Sequence, residues 1–154
     1  MRYAFLTIVA GLLGAVTTTL YGPESASFDA EEVSGIEYAI LDYVEGIYDV
    51  QPERIERSVS KDLVKYGYWR ESAEEEYRGM PMNYEQLHGL ATNWNKDNRQ
   101  EITDESPKKI EVLDVLDKTG TAKLTAMWGI DYFQLEKVDD ERWMIRHVLW
   151  QAHP

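Results

Sequence analysis

Two polar side chains stand inside apolar segments late in the chain, and both could act as acids or bases. Asp131 is the one carboxylate between Met127 and Leu135. A carboxylate in an apolar pocket can remove a proton beside a carbonyl group. His147 belongs to the residue type that titrates near neutral pH, so it could transfer a proton or contact a ligand. The structural alternatives are a strand-edge or interface carboxylate and a hydrogen-bonded core histidine.

Strand alternation predicts which way His147 points. Successive side chains of a strand face opposite sides of its sheet. In the last apolar segment, the less polar alternation contains Trp143, Ile145, His147 and Leu149. We therefore expect His147 to face the pocket side of the sheet.

The opposite face of that segment contains Met144, Arg146, Val148 and Trp150. On a lone domain Met144, Val148 and Trp150 would form an exposed apolar patch, which is typical of a subunit contact. The sequence therefore predicts a homodimer through the outer face of the sheet.

The orientation of Asp131 stays open at this level. An apolar alternation runs through this segment and leaves Asp131 on the opposite face. This alternation consists of Ala122, Leu124, Ala126, Trp128, Ile130 and Tyr132. Only a bulge near Gly129 would turn Asp131 inward.

Six aromatic side chains join His147 as candidates for ligand binding. Aromatic rings stack on flat ligands, and tyrosine hydroxyls can orient them. The same rings would serve equally well in an ordinary core. The six are Tyr66, Tyr68, Trp69, Trp94, Trp128 and Tyr132.

The sequence carries no recognisable metal or cofactor motif. Its three histidines form no pair at ligand spacing, and there is no cysteine to supply a thiolate. It also lacks a nucleophile elbow, a phosphate loop and a dinucleotide fingerprint. We therefore expect no metal and no cofactor, and a binding role is favoured over catalysis.

Capping signals predict three helices in the first half of the chain. Asp29 and Glu32 have the spacing of a capping box, and apolar residues follow at intervals of three and four. Asn83 and Gln86 repeat the capping pattern. The predicted helices cover residues 30–49, residues 52–58 and a segment that starts after residue 83.

Alternating β-rich segments predict the strands. They are Leu63–Trp69, a short segment at Tyr77–Met80, Lys108–Leu116, Ala122–Val138 and Arg142–Gln151. Turn residues at 117–120 and 139–141 join the last three as hairpins. Helices followed by hairpin-linked strands indicate an α+β fold with an antiparallel sheet.

This layout resembles the nuclear transport factor 2-like superfamily, the cystatin-like cone shared with ketosteroid isomerases and polyketide cyclases. Within it, the chain is most similar to the bacterial family described as "putative lumazine-binding". The likeness spans about residues 31–151. The segments that carry it are Leu41–Tyr48, Asp62–Lys65, Ile110–Val115, Asp131–Leu135 and Trp143–Trp150.

The resemblance implies a curved antiparallel sheet wrapped around the three helices, forming a cone with one pocket. The same fold hosts enzymes, transport factors and binding proteins, so it leaves the function open. One hypothesis is a domain that binds a small aromatic or heterocyclic molecule. The second is an acid–base isomerase, dehydratase or cyclase that uses Asp131 or His147. The third is a non-catalytic dimeric accessory protein.

The charge of the chain argues against two classes of partner. With 16 basic and 28 acidic residues, the formal net charge is −12. Nucleic-acid binding needs clustered lysine and arginine, and anionic membrane surfaces attract basic segments. We expect the protein to bind neither nucleic acid nor, outside its first residues, a membrane.

The first residues have the parts of a secretory signal. Arg2 precedes an apolar run from Ala4 to Val16, and small residues follow. We interpret residues 1–27 as a signal peptide and residues 28–154 as the mature domain, located in the periplasm or outside the cell. The alternative is an uncleaved anchor, since Tyr3–Tyr21 is about long enough to span a bilayer.

Export gives a direct prediction about the mature protein. N-terminal sequencing of the periplasmic or secreted protein should begin between Thr18 and Phe28, because signal peptidase cuts after the apolar run. A cytosolic protein that still starts at Met1 would contradict the interpretation.

Overall fold

A computed structural model describes residues 28–138 and 142–154. The predicted signal peptide and the predicted turn at 139–141 lie outside these ranges. The elements, in order, are α1 Ala30–Tyr48, α2 Pro52–Ser58, β1 Val59–Trp69, β2 Arg78–Met82, α3 Tyr84–Asn93, a 3₁₀ turn Lys96–Asn98, β3 Lys108–Val115, β4 Thr119–Ala126, β5 Gly129–Lys137 and β6 Trp143–Ala152. No helix in the described ranges combines the length and apolarity that crossing a bilayer requires.

The sheet has six strands in the order β2-β1-β6-β5-β4-β3. All neighbours are antiparallel except β1 and β6, which run parallel. The α+β class is therefore confirmed, but the sheet is mixed. The parallel pair arises because the chain leaves β1 through β2 and α3 and returns to β1's other edge only with its last strand.

Both predicted capping signals start helices, with one difference in detail. The Asp29 side chain accepts hydrogen bonds from the backbone N–H groups of Glu31 and Glu32. Glu32 does not complete a capping box, because its carboxylate bonds side chains of the sheet instead. Asn83 and Gln86 do form the predicted reciprocal capping box.

One face of α1 supplies much of the core. Its apolar residues recur every three or four positions, so they share one side of the helix. Ile36, Ile40, Tyr43, Val44 and Ile47 are at most 1% exposed and contribute to one cluster with the inner side chains of the sheet. Burying each such side chain stabilises the fold by about 1.5–3 kcal/mol. This packing places α1 across the face of the sheet that holds the site.

The predicted strand Ala122–Val138 is wrong, because it is two strands joined by a tight turn. The turn is Met127–Trp128, and Gly129 follows it with a φ of +147°. A side chain is strained there, and a Cβ on Gly129 would lie 2.0 Å from the carbonyl oxygen of Gln151. The apolar residues of the turn continue the alternation and so conceal the break in the sequence.

The N-terminus of α1 is fastened to the sheet by Glu32. Its carboxylate accepts hydrogen bonds from Lys137 Nζ at 2.5 Å and from Trp143 Nε1 at 2.9 Å. The bond from Lys137, followed by that from Trp143, holds the pKa of Glu32 below its usual value. The folded state therefore binds this proton less readily than the unfolded state does.

Glu32→Gln should lower stability most near neutral pH. A depressed carboxyl pKa stabilises the fold above the unfolded value, near 4.5, and that contribution disappears as the pH falls further. The gap between the denaturation midpoints of the variant and the wild type should thus be wide at pH 7 and shrink below about pH 4. Glu31→Gln, at an exposed neighbouring position, should leave the denaturation midpoint nearly unchanged at both pH values. A pH-independent gap would contradict this role for Glu32.

Candidate functional site

A cavity of about 530 Å³ lies between the helices and the inner face of the sheet, at the end where β2 meets β1. Four of the chain's five tryptophans line it, namely Trp69, Trp94, Trp128 and Trp150. Met80, which is 40% exposed, marks the side that opens to solvent. A volume of this size is typical of small-molecule sites.

The walls are ordered by contacts between aromatic rings. Trp94 stacks on Tyr48, with 5.9 Å between ring centroids. Trp128 meets Trp94 edge to face at 5.5 Å and Tyr43 at 6.2 Å. Such pairs stabilise their own arrangement beyond simple burial. The cavity therefore has a preformed aromatic wall.

A buried polar cluster lies at the inner side of this cavity. The ammonium of Lys65 donates to Tyr43 Oη at 2.5 Å and to Asp131 Oδ1 at 3.1 Å. Tyr43 in turn donates to Asp131 Oδ1 at 3.2 Å, and Trp128 Nε1 donates to Asp131 Oδ2 at 2.5 Å. Lys65 is only 4% exposed, and Asp131 is fully buried. We call Lys65, Asp131, Tyr43 and Trp128 the polar cluster.

Ordinary strand and helix periodicity brings the polar cluster together. Lys65 alternates with buried Leu63 and Gly67, so it shares the inner face of β1. Asp131 is at an inner position of β5, where Gly129 and Phe133 are also buried. Tyr43 lies on the buried face of α1.

Burial changes the proton affinities of two members of the cluster. It lowers the pKa of Lys65, and the nearby carboxylate of Asp131 partly offsets this effect. It raises the pKa of Tyr43 well above its usual value, and the negative charge of Asp131 acts in the same direction. Tyr43 therefore remains a neutral phenol that donates its hydrogen to Asp131.

The geometry gives Asp131 and Lys65 different chemical capacities. Both oxygens of Asp131 already accept hydrogen bonds, three in total. An ammonium has three N–H donors, and within the described residues two of those on Lys65 are used. Lys65 lines the cavity and Asp131 is not among its lining residues. The group presented to a ligand is therefore a donor rather than a base.

Three of the predicted aromatic candidates line the cavity, and three do not. Trp69, Trp94 and Trp128 face it. Tyr66, Tyr68 and Tyr132 lie on the outer face of the sheet, where they are 39%, 43% and 49% exposed. Alternation explains the division in β1, since Tyr66 and Tyr68 flank the inward Gly67.

His147 lies on the outer face, which corrects the expected orientation. Its Nδ1 is 2.9 Å from Gln134 Oε1, across the β5–β6 ladder. The register shifts between the pairs Gln134–His147 and Leu135–Ile145, so Arg146 is an extra residue. This bulge reverses the alternation after Ile145. His147 therefore lies on the opposite face of the sheet from Asp131.

The same bulge turns Val148 and Trp150 inward, which corrects their assignment to the outer face. Val148 is 2% exposed, and Trp150 lines the cavity. Asp131 faces inward without a bulge in β5, because the turn at residues 127–128 resets the alternation before β5 begins. The bulge in β6 and the turn before β5 are both interruptions that a period-two pattern does not reveal.

The residues of the site that were not predicted from the sequence include Tyr43, Lys65 and Trp150. For Lys65 a signal was present, since the lysine shares its alternation with Leu63, Gly67 and Trp69. A lysine on the apolar face of a strand needs a partner. Asp131, the isolated carboxylate, was the other half of that signal.

The indole of Trp150 lies over Gly67, its neighbour in the parallel pair of β1 and β6. A Cβ at position 67 would come within 1.7 Å of Trp150 Nε1. Because Gly67 has no side chain, the indole of Trp150 can pack against β1 and form this wall of the cavity. Within the described ranges, Trp150 Nε1 is a buried donor without a hydrogen-bond acceptor.

Solved structures share this fold at low sequence identity. A nuclear transport factor 2-like protein of unknown function from Silicibacter pomeroyi is 11% identical, with a TM-score of 0.59 over 80% of this chain and 97% of its own. One from Methylobacillus flagellatus is 18% identical, with a TM-score of 0.59 over 83% and 97%. A ketosteroid isomerase-like protein from Erwinia carotovora atroseptica is 13% identical, with a TM-score of 0.52 over 81% and 98%. At these identities the likeness concerns the fold alone.

Comparison with curated proteins finds no significant match. The family described as "Putative lumazine-binding" matches residues 31–151, which include every helix and strand except the ends of α1 and β6. The fold that the sequence indicated is thereby confirmed, together with its family. The chain is a member of the "Putative lumazine-binding" family, and its fold is similar to that of the nuclear transport factor 2-like proteins described above.

Proposed function

We propose that the protein is a binding domain for a small, flat aromatic or heterocyclic molecule. The observation that carries the proposal is a cavity with four tryptophans in its lining and Lys65 as a buried donor. Stacking on the rings would supply affinity, and the donor would fix the orientation of the ligand. The family's description points to the same kind of ligand.

The arrangement favours binding over acid–base catalysis. A general base needs a lone pair directed at the proton that it removes. Asp131 accepts hydrogen bonds from Lys65, Tyr43 and Trp128, and it is not among the residues that line the cavity. His147 lies on the outer face of the sheet and bonds Gln134. Neither of the two acid–base candidates thus presents a free base to the cavity.

Ligand binding can be tested through the tryptophans themselves. Protein purified without denaturation from its own host should release a small molecule in native mass spectrometry. The ligand-free protein should then show saturable quenching of tryptophan emission on titration with lumazine, because most of its tryptophans line the cavity. No released molecule together with no response to lumazine would contradict the proposal.

A matched pair of methionines provides the control. Met80 lines the cavity and Met127 does not, yet they are 40% and 41% exposed. Met80→Glu should weaken lumazine binding by about tenfold or more, equivalent to about 1.4 kcal/mol, since it puts a carboxylate at the opening. Met127→Glu adds the same charge outside the cavity and should change the affinity by less than about twofold. Equal effects of the two substitutions would place the ligand elsewhere.

The proposal includes the location that the sequence predicts. An apolar run behind Arg2 supports export to the periplasm or the cell exterior. A binding domain located there would meet its ligand outside the cytoplasm. N-terminal sequencing of the mature protein tests this part separately from ligand binding.

We also propose that two copies pair through the outer face of the sheet. Val64, Tyr66, Leu113, Tyr132 and Leu149 are between 39% and 59% exposed there and line one shallow depression, which we call the outer patch. None of the residues lining this depression is an aspartate, glutamate, lysine or arginine. In a chain of net charge −12, an uncharged apolar surface lets two copies meet without like-charge repulsion at the centre.

Leu149→Glu should convert a dimer to a monomer in analytical ultracentrifugation, because it would bury two unpaired carboxylates in the contact. Leu116→Glu is the control, since Leu116 is 64% exposed and lies outside the outer patch. Wild-type protein that sediments as a monomer at about 50 µM, a concentration that populates all but weak dimers, would contradict the pairing.

A further inference from the structure

The charged side chains that line the cavity are basic, although the chain as a whole is acidic and Asp131 pairs with Lys65 behind the lining. Lys65 and Arg70 line it, and His153 adds a third basic side chain. None of the cavity's lining residues within 28–138 and 142–154 is an aspartate or a glutamate. In a protein of net charge −12, this local excess of basic groups sets the cavity apart from the surface around it.

Two side chains that line the cavity, Lys65 and Trp150, carry buried hydrogen-bond donors. Lys65 has an N–H beyond those directed at Tyr43 and Asp131. Its Nζ is 5.4 Å from the centre of the Trp150 ring, whose Nε1–H is buried without an acceptor among the described residues. A buried donor left without a partner is costly, and a ligand acceptor within reach of the indole N–H would remove that cost.

We infer that the ligand is an anion: a flat aromatic or heterocyclic carboxylate, or an equivalent oxyanion, held by Lys65 and Trp150. This inference rests on the proposed binding function and specifies its ligand class. The ring system would stack within the tryptophan-lined walls while the charged oxygen accepts from the ammonium and the indole. Arg70, toward the open side of the cavity, would attract the anion as it enters.

The polar cluster explains why Lys65 can perform this role. Asp131 and Tyr43 fix the ammonium from one side, so its position does not depend on the ligand. Burial lowers the pKa of Lys65, and a second negative group beside it would favour the charged ammonium again. An uncharged ligand would provide no such compensation.

Two probes of nearly equal shape separate charge from stacking. 2-Naphthoate and 2-naphthamide share a ring system and differ in the charge of one group. Isothermal titration at pH 7 should show naphthoate binding about tenfold or more tightly, since charge-assisted hydrogen bonds are about twice as strong as neutral ones. Equal affinities, or a preference for the amide, would overturn the anion inference and leave the binding function intact.

If neither probe binds, the anion inference is also overturned. The lumazine and copurification measurements would then decide the binding function separately.

Two sets of variants locate the preference. Lys65→Gln combined with Asp131→Asn removes both charges while keeping hydrogen-bonding groups at both positions, and it should reduce the preference for naphthoate to about twofold or less. Trp150→Phe keeps a ring but removes the indole donor, so it should weaken naphthoate more than naphthamide. Trp94→Phe, a change in another tryptophan of the cavity lining, should weaken both probes equally. If Trp150→Phe keeps the full preference for naphthoate over naphthamide, the role of the indole is overturned. This outcome does not depend on whether the double variant folds.

Discussion

The ion pair between Lys65 and Asp131 is the constraint on which the rest of the site depends. Lys65 is on β1 and Asp131 on β5, so the pair reaches across the intervening strand β6. Tyr43 adds α1 to the same contact. Burying two charges is costly, and only close approach with further hydrogen bonds offsets the loss of hydration. Removing one partner alone would leave a buried charge and destabilise such a fold by about 3–5 kcal/mol. The helix and the two strands are therefore held in one relative position.

That constraint also divides the cavity into two parts with different roles. The polar cluster fills one side, where each oxygen of Asp131 is occupied. The remaining walls are aromatic rings that contact one another, as Trp94 and Trp128 do. A molecule with one polar edge and one apolar ring system fits such a division in a single orientation. In the proposed binding mode, the fold itself therefore sets the orientation of the ligand.

Much of the fold could be predicted from the sequence, but only part of the site. Helix caps are local signals, and those at Asp29 and Asn83 gave correct starts for α1 and α3. Strand alternation is also a local signal, but it predicts the wrong face for every residue that follows a bulge of one residue. The bulge at Arg146 places His147 outside and Trp150 inside, opposite to their expected positions. The turn before Gly129 likewise places Asp131 on the inner face, opposite to the face that continued alternation predicts. Partners such as Lys65 and Asp131, 66 residues apart, meet only through tertiary packing.

The contact between Gly67 and Trp150 separates the width of the cavity from its charge. Position 67 is two residues beyond Lys65 on the same inward face of β1. Because even a methyl group there would displace the indole, the residue at position 67 controls the cross-section available to a ligand. In the proposed binding mode, Lys65 favours a ligand of negative charge. In related chains, a single substitution at position 67 could therefore redirect the domain to a ligand of another shape, whereas a change of charge at position 65 would also require a change of its partner Asp131.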